Sequence, residues 1–210
     1  MEDATTERPR DLPVIRVGAV RPRADAVRNR ARVLAAAQRL FAARGVTDVS
    51  MDDVAAAAGV GKGTLYRRFG DKSGLVAALL DERESELQAR MLTGPAPLGP
   101  GGQPVDRLVT FVTAYLEYVD SHLDLVALSQ TASPGARLRT GAHRFWRQHC
   151  RILFADAGAA DPDLRADTLL AALSAEQVRQ WRRVEGRPLA ALTRSLATIV
   201  RALAARPGSA

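Results

Sequence analysis

Between Ser50 and Lys72 the chain sets out hydrogen-bond donors at helical spacing: Lys62, Thr64, Tyr66, Arg67 and Arg68, with Ser50 upstream and Lys72 just beyond. Cationic and hydroxyl donors of this kind serve phosphate oxygens and base edges, and a lysine such as Lys62 can donate to guanine O6 and N7. Gly63, without a side chain, would let a partner approach closely. The same stretch holds GVGKGT, Gly59 to Thr64, which suggests a different chemistry, the phosphate cradle of a P-loop. That pattern wants a glycine where Ala56 stands and a hydroxyl where Gly63 stands, and it follows a buried strand. The flank here, MDDVAAAA, is alanine-rich and helical in period. Catalytic and metal chemistry find little. His143 and His149 are six apart and do not share a helix face as an i, i+4 zinc pair would. Cys150 points about 100° away from His149 around a helix. No G-x-S-x-G motif or carboxylate pair stands out, so no catalytic residue, metal or cofactor is assigned, and an enzyme is not expected.

Positioning those donors takes two short helices and a tight turn. Val54, Ala55 and Ala58 fall at helical spacing on a first helix, with Ser50 as its N-cap and Asp52 and Asp53 in the first turn, where negative charge suits the helix dipole. Gly59 can take the left-handed conformation that closes a helix, and Val60 can tuck back toward it. The second helix, Lys62 to Phe69, puts Leu65 and Phe69 on one side and the donors on the other. A helix-turn-helix needs that division, one face for packing and one for a DNA groove.

With the helix before it, this stretch resembles the DNA-binding domain of the TetR family of bacterial transcriptional regulators. The signature is carried by Thr64, Leu65, Tyr66, Arg67, Arg68 and Phe69, followed past Gly70 and Asp71 by Lys72 opening the next helix. The match covers roughly residues 25 to 80; beyond it only length and helical character are similar. The resemblance implies that Thr64, Tyr66 and Lys72 anchor phosphates, that Lys62 stands at the base-reading position, and that Ser50, Gly63, Arg67 and Arg68 lie at the DNA. It also implies a fourth helix linking DNA-reading and sensing parts, and a dimer with a ligand pocket.

The whole chain fits this class. It has 210 residues, 47% of them hydrophobic, with alanine, leucine and arginine prominent and few strand formers, which predicts an all-α fold of an N-terminal helix-turn-helix domain and a C-terminal helical ligand-binding and dimerisation domain. One cysteine, no long apolar run and no signal-peptide core predict a cytoplasmic protein. The net charge of +7 is built almost wholly of arginine, the only lysines being Lys62 and Lys72. Residues 1–72 hold 14 basic against 9 acidic residues and the remainder 16 against 14, so the excess sits at the expected DNA-binding end.

Residues 1–23, with Pro9, Pro13 and Pro22, read as a flexible basic arm whose Arg16, Arg21 and Arg23 either touch DNA or belong to a plain tail. Residues 24–72 form the helix-turn-helix domain, opened by a helix over Ala24 to Arg44 with Val27, Leu34, Ala37 and Phe41 on its stripe. Residues 73–206 form the second domain. The fourth helix runs to about Leu92, and the proline- and glycine-rich stretch 93–104 is a loop. Helices then span Val105 to His122, from Ser133-Pro134 to about Ala157, from Asp161-Pro162 to Gly186, and Leu189 to Leu203, with a short apolar piece from Leu123 to Gln130.

Three uses compete for this half: a pocket for an effector of unknown identity, lined by Phe111, Tyr115, Tyr118, His122, Trp146, His149 and Phe154; a plain core of the same aromatics; and a dimer surface on the last two long helices, whose leucine would be buried in a four-helix bundle. Dimerisation also suits DNA, because a twofold pair of short recognition helices reads a palindromic operator. The expected protein is a homodimeric repressor released from double-stranded DNA by a small molecule, with no membrane partner. A P-loop-like nucleotide-binding protein and an effector-independent DNA-binding protein are the alternatives.

Overall fold

The computed structural model describes residues 21–205, with side chains from Asp25 onward. Helix α1 (Arg21–Arg44) opens three residues earlier than its apolar period implies, with Pro22 in the first turn, where a missing N–H costs nothing. Arg21 and Arg23 therefore belong to a helix, while the rest of the expected arm lies outside the described residues. Val27 is 66% exposed, and the stripe runs instead through Val33, Ala36, Ala37 and Phe41.

Helix α2 (Met51–Ala58) buries Met51, Val54, Ala55 and Ala58. Gly59 closes it at φ 64°, the left-handed region, and the Val60 amide donates to Ala55 O at 3.0 Å, so the turn satisfies the last carbonyls while aiming α3 (Lys62–Phe69) across α2. Helix α4 (Lys72–Thr93) starts hard against the end of α3. A Cβ on Gly74 would come within 1.9 Å of Phe69 O, so only glycine fits there.

Helix α5 (Pro104–Ser121) is the spine of the second half and buries Leu108, Phe111, Val112, Tyr115, Leu116 and Val119 among others. Around it pack α6 (Leu123–Thr131), α8 (Gly141–Asp156), α10 (Ala175–Arg179) and α11 (Leu189–Ala204), with α9 (Pro162–Ala172) lying on α8 and the single turn α7 (Ala136–Arg139) before it. Two long helices expected from periodicity are each broken. Gly135 is left-handed and Thr140 extended, and the Thr140 hydroxyl caps α8 by accepting from His143 N at 3.0 Å. At the second break Ser174 caps α10, and the Ala175 amide is captured by Gln130 Oε1 of α6 at 2.9 Å, a partner 45 residues away that periodicity cannot report. Helix α10 runs on as a π-helical turn, Gln180–Val184, whose Arg182 grips Asp120 of α5 at 2.7 Å.

The leucines of α11 expected to face a partner are largely used at home: Leu192, Leu196 and Val200 are buried within the chain, leaving Ile199 50% exposed. No described helix is long and apolar enough to cross a membrane.

Candidate functional site

Every residue of α3 except Leu65 and Phe69 is exposed. At about 100° per residue the outward face is centred on Gly63 and Arg67 and flanked by Tyr66 and Thr64, with Lys62 nearer the side that holds Leu65 and Phe69. Nothing lies within 4 Å of a Cβ built on Gly63, Tyr66 is 46% exposed, and no ion pair engages Arg67 among the described residues. The Gly61 N-cap has no side chain, so it supplies no side-chain cap to the first amides of α3. This face is polar and exposed, with open space above Gly63.

The remaining donors are tied into the fold. Lys62 pairs with Asp52 of α2, and that bond holds its ammonium above the ordinary lysine range, so it is fully charged. Arg68 leaves the outward face and donates to Ala26 O of α1 at 2.9 Å, bridging α3 to α1. Lys72 donates to Thr47 O at 3.1 Å, fastening the start of α4 to the turn after α1 and leaving further N–H groups for another acceptor. Of the amides at the start of α4, that of Gly74 is already taken by Asp71 Oδ1 at 2.8 Å. Ser50 forms a capping box. Its hydroxyl accepts from Asp53 N and donates to Asp53 Oδ2 at 2.7 Å, and the carboxylate accepts from Ser50 N at 2.8 Å. These bonds, with Arg44 nearby, hold Asp53 below the usual carboxylate range. The segment before Gly59–Thr64 is helix α2, so the strand that a P-loop requires is replaced by a helix and the nucleotide reading is set aside.

In the second half six of the seven aromatic and histidine candidates form one chain of rings on α5, its C-cap His122 and α8. Phe111 stands 5.5 Å from Tyr115, 6.0 Å from Trp146 and 5.6 Å from His149; Tyr115 meets Trp146 and Tyr118, each at 5.9 Å; Tyr118 meets His122 at 5.6 Å. Phe154 is fully buried, with no ring contact to this row among the described residues. Phe111, Tyr115 and Trp146 fill the interior as packed core. The open clefts lie elsewhere: one of about 290 Å³ takes in His122 with Phe41, Leu79 and Asp120, and one of about 810 Å³ separates Thr47 and Lys72 from Gln130 and Glu176, between the helix-turn-helix and the rest of the chain.

Two polar features of the row escaped the sequence reading. Tyr118 Oη donates to Glu84 Oε1 of α4 at 3.0 Å; burial raises the carboxyl of Glu84 and, with Glu84 beside it, the phenol of Tyr118. Glu84 follows Leu80 by four residues and precedes Leu87 by three, so a charge on the apolar stripe was the available signal. Arg107, one turn before Phe111, had none. Burial first, then Arg107, lowers His149 to about 4, and burial raises the Cys150 thiol well above its usual range.

Residues 33–79 match the family described as bacterial regulatory proteins, tetR family. An HTH-type transcriptional regulator of Staphylococcus aureus is 49% identical over 53 residues, which are 25% of this chain and 29% of that protein. An uncharacterized HTH-type transcriptional regulator of Mycobacterium tuberculosis is 31% identical over 103 residues, 49% of this chain and 50% of that one. The chain thus spans half or less of the length of these curated relatives. Among solved structures, that of Thermus thermophilus FadR, a TetR family transcriptional repressor in complex with lauroyl-CoA, superposes with a TM-score of 0.61 over 86% of this chain and 98% of that one, at 20% identity. The likeness at that identity is one of fold.

Proposed function

We propose that this chain, whose residues 33–79 match the tetR family of bacterial regulatory proteins, works in the cytoplasm as a homodimeric repressor, bound to a palindromic operator and released by a small-molecule effector. The observation that carries the reading is the outward face of α3, where Gly63, Thr64, Tyr66 and Arg67 are exposed opposite buried Leu65, with Lys62, paired to Asp52, at its edge. Thr64, Tyr66 and Lys72 contact phosphates. Lys62 and Arg67 reach base edges or backbone, Gly63 allows close approach, and Ser50 and Arg68 hold the module to its neighbours at the edge of the contact. Each copy reads a half-site, and twofold pairing sets the half-sites about 34 Å apart or somewhat more. Effector binding beside α5 and α8 moves α4, whose Glu84 is bonded to Tyr118, and the open cleft beside Lys72 gives the helix-turn-helix room to turn. That the Thermus thermophilus repressor was solved with lauroyl-CoA supports a small-molecule effector. No step of this scheme is catalytic.

Selection of bound fragments from a genomic DNA pool tests it. The expected outcome is a shared inverted repeat, with Tyr66→Phe and Lys72→Ala each weakening binding by about 1 kcal/mol or more, and with a shallower salt dependence for Lys72→Ala because a phosphate contact is lost. Lys72→Ala also frees Thr47 O, so the salt slope, not affinity alone, identifies the phosphate contact. Fragments sharing no sequence, or full affinity in both variants, would remove the operator-reading role of α3.

A further inference from the structure

Among the described residues, two buried side-chain polar atoms have no hydrogen-bond partner: Arg107 Nε and His149 Nε2. Native interiors rarely leave such atoms unpaired, and each one asks for a missing partner. These two belong together. Along α5, Tyr115 meets Trp146 and Phe111 meets both Trp146 and His149, so α5 and α8 run antiparallel, and one further turn back along α5 brings Arg107 to the His149 end of the row. No carboxylate pairs with Arg107 among the described residues. Its stem lies under the loop that links α4 to α5: a Cβ on Gly102 would come within 3.2 Å of Arg107 Cγ and 3.3 Å of Pro97 Cα, and buried Leu98 pins that loop to the core.

We propose that Arg107 and His149 form the polar end of the effector site and take the carboxylate of an organic acid at the edge of the packed ring row, under the 94–103 loop. The proposal rests on the effector-responsive reading above and deepens it. A guanidinium excludes a cationic headgroup here. One cation beside a neutral imidazole balances a single negative charge, which favours a carboxylate over a doubly charged phosphate. Water would supply hydrogen bonds but no counter-charge. Entry is by way of the 94–103 loop, since that segment covers Arg107.

The test uses the full chain with benzoate and octanoate as probes and benzyl alcohol and 1-octanol as their uncharged counterparts, followed by tryptophan fluorescence and by the ring nitrogen resonances of His149. The acids are expected to bind saturably, to shift the His149 Nε2 resonance, and to bind at least about tenfold tighter than the alcohols, as a charge-assisted pair requires. Arg107→Gln should abolish the preference, and His149→Phe should weaken acid binding. Equal binding of acid and alcohol, no binding of either, or an unshifted His149 resonance would leave water alone as the partner and overturn the proposal. Should Arg107→Gln fail to fold, the acid-against-alcohol comparison on the parent chain decides by itself. Sequence-specific DNA binding without acid preference sinks only the carboxylate site. Acid preference without DNA binding sinks only the regulator reading.

Discussion

Gly63 and Arg67 lie at the middle of the outward face of α3, and the open space above Gly63 makes it the cleanest probe of that face. Gly63→Ala meets nothing and restricts the unfolded chain, so it should raise stability by about 0.5–1 kcal/mol in chemical denaturation. Gly63→Leu should fold equally well yet lose at least about tenfold in operator affinity, because the added side chain stands between helix and groove. Retained affinity in Gly63→Leu would show that α3 is not the reader. His149 makes a different prediction. Its imidazole is held near 4 by burial and Arg107, against 6.5 in its unperturbed state. Between those values the unfolded chain binds more protons, so stability should fall as pH drops from about 6.5 toward 4, and His149→Leu should flatten that limb of the denaturation profile. Both residues were visible in the sequence as chemistry-bearing groups. The burial that gives His149 its depressed affinity for protons was not.

At the scale of elements, the α2–turn–α3 unit is written almost entirely in adjacent residues. Ser50, Asp53, Gly59 and Leu65 act on partners within a few positions, so the cap, the stop and the buried side could be read directly. Ser50→Ala removes the hydroxyl half of the capping box while the backbone amide at that position keeps its bond to the Asp53 carboxylate, and it should cost about 1 kcal/mol of thermal stability. Gly74→Ala forces a methyl onto Phe69 O at the α3–α4 junction and should cost roughly 1–3 kcal/mol while also tilting α3, a loss seen as weaker operator binding even where the fold persists. An unchanged melting temperature in Gly74→Ala would mean that the junction relaxes. The breaks at Thr140 and Ser174 were not legible. Uninterrupted apolar periods run through both, and the chain turns there because a threonine hydroxyl caps the next helix and because Gln130, far off in sequence, binds a free amide.

For the whole molecule, the burial of Leu192, Leu196 and Val200 against the chain's own core reduces the apolar surface available for pairing to side chains such as Ile152, Leu164 and Ile199. The proposed dimer therefore has few exposed apolar side chains to draw on, and light scattering on dilution should show that Ile199→Glu dissociates at a higher protein concentration than the parent chain. Operator affinity should fall in step with dimer population, since one copy holds only a half-site. A stable monomer that binds the full palindrome would overturn the twofold arrangement.

From residue types and spacing alone come the helical class, the helix-turn-helix, the polar face of its second helix and the basic bias of that end, because each depends on neighbours along the chain. Only the tertiary structure decided which polar groups are already engaged: Lys72 by Thr47, Arg68 by Ala26 and Glu84 by Tyr118. It alone decided that Phe111, Tyr115 and Trp146 pack on one another, and that Arg107 Nε and His149 Nε2 have no hydrogen-bond partner among the described residues. Those outcomes depend on contacts between segments tens of residues apart, where helical period says which way a side chain points but not what it meets.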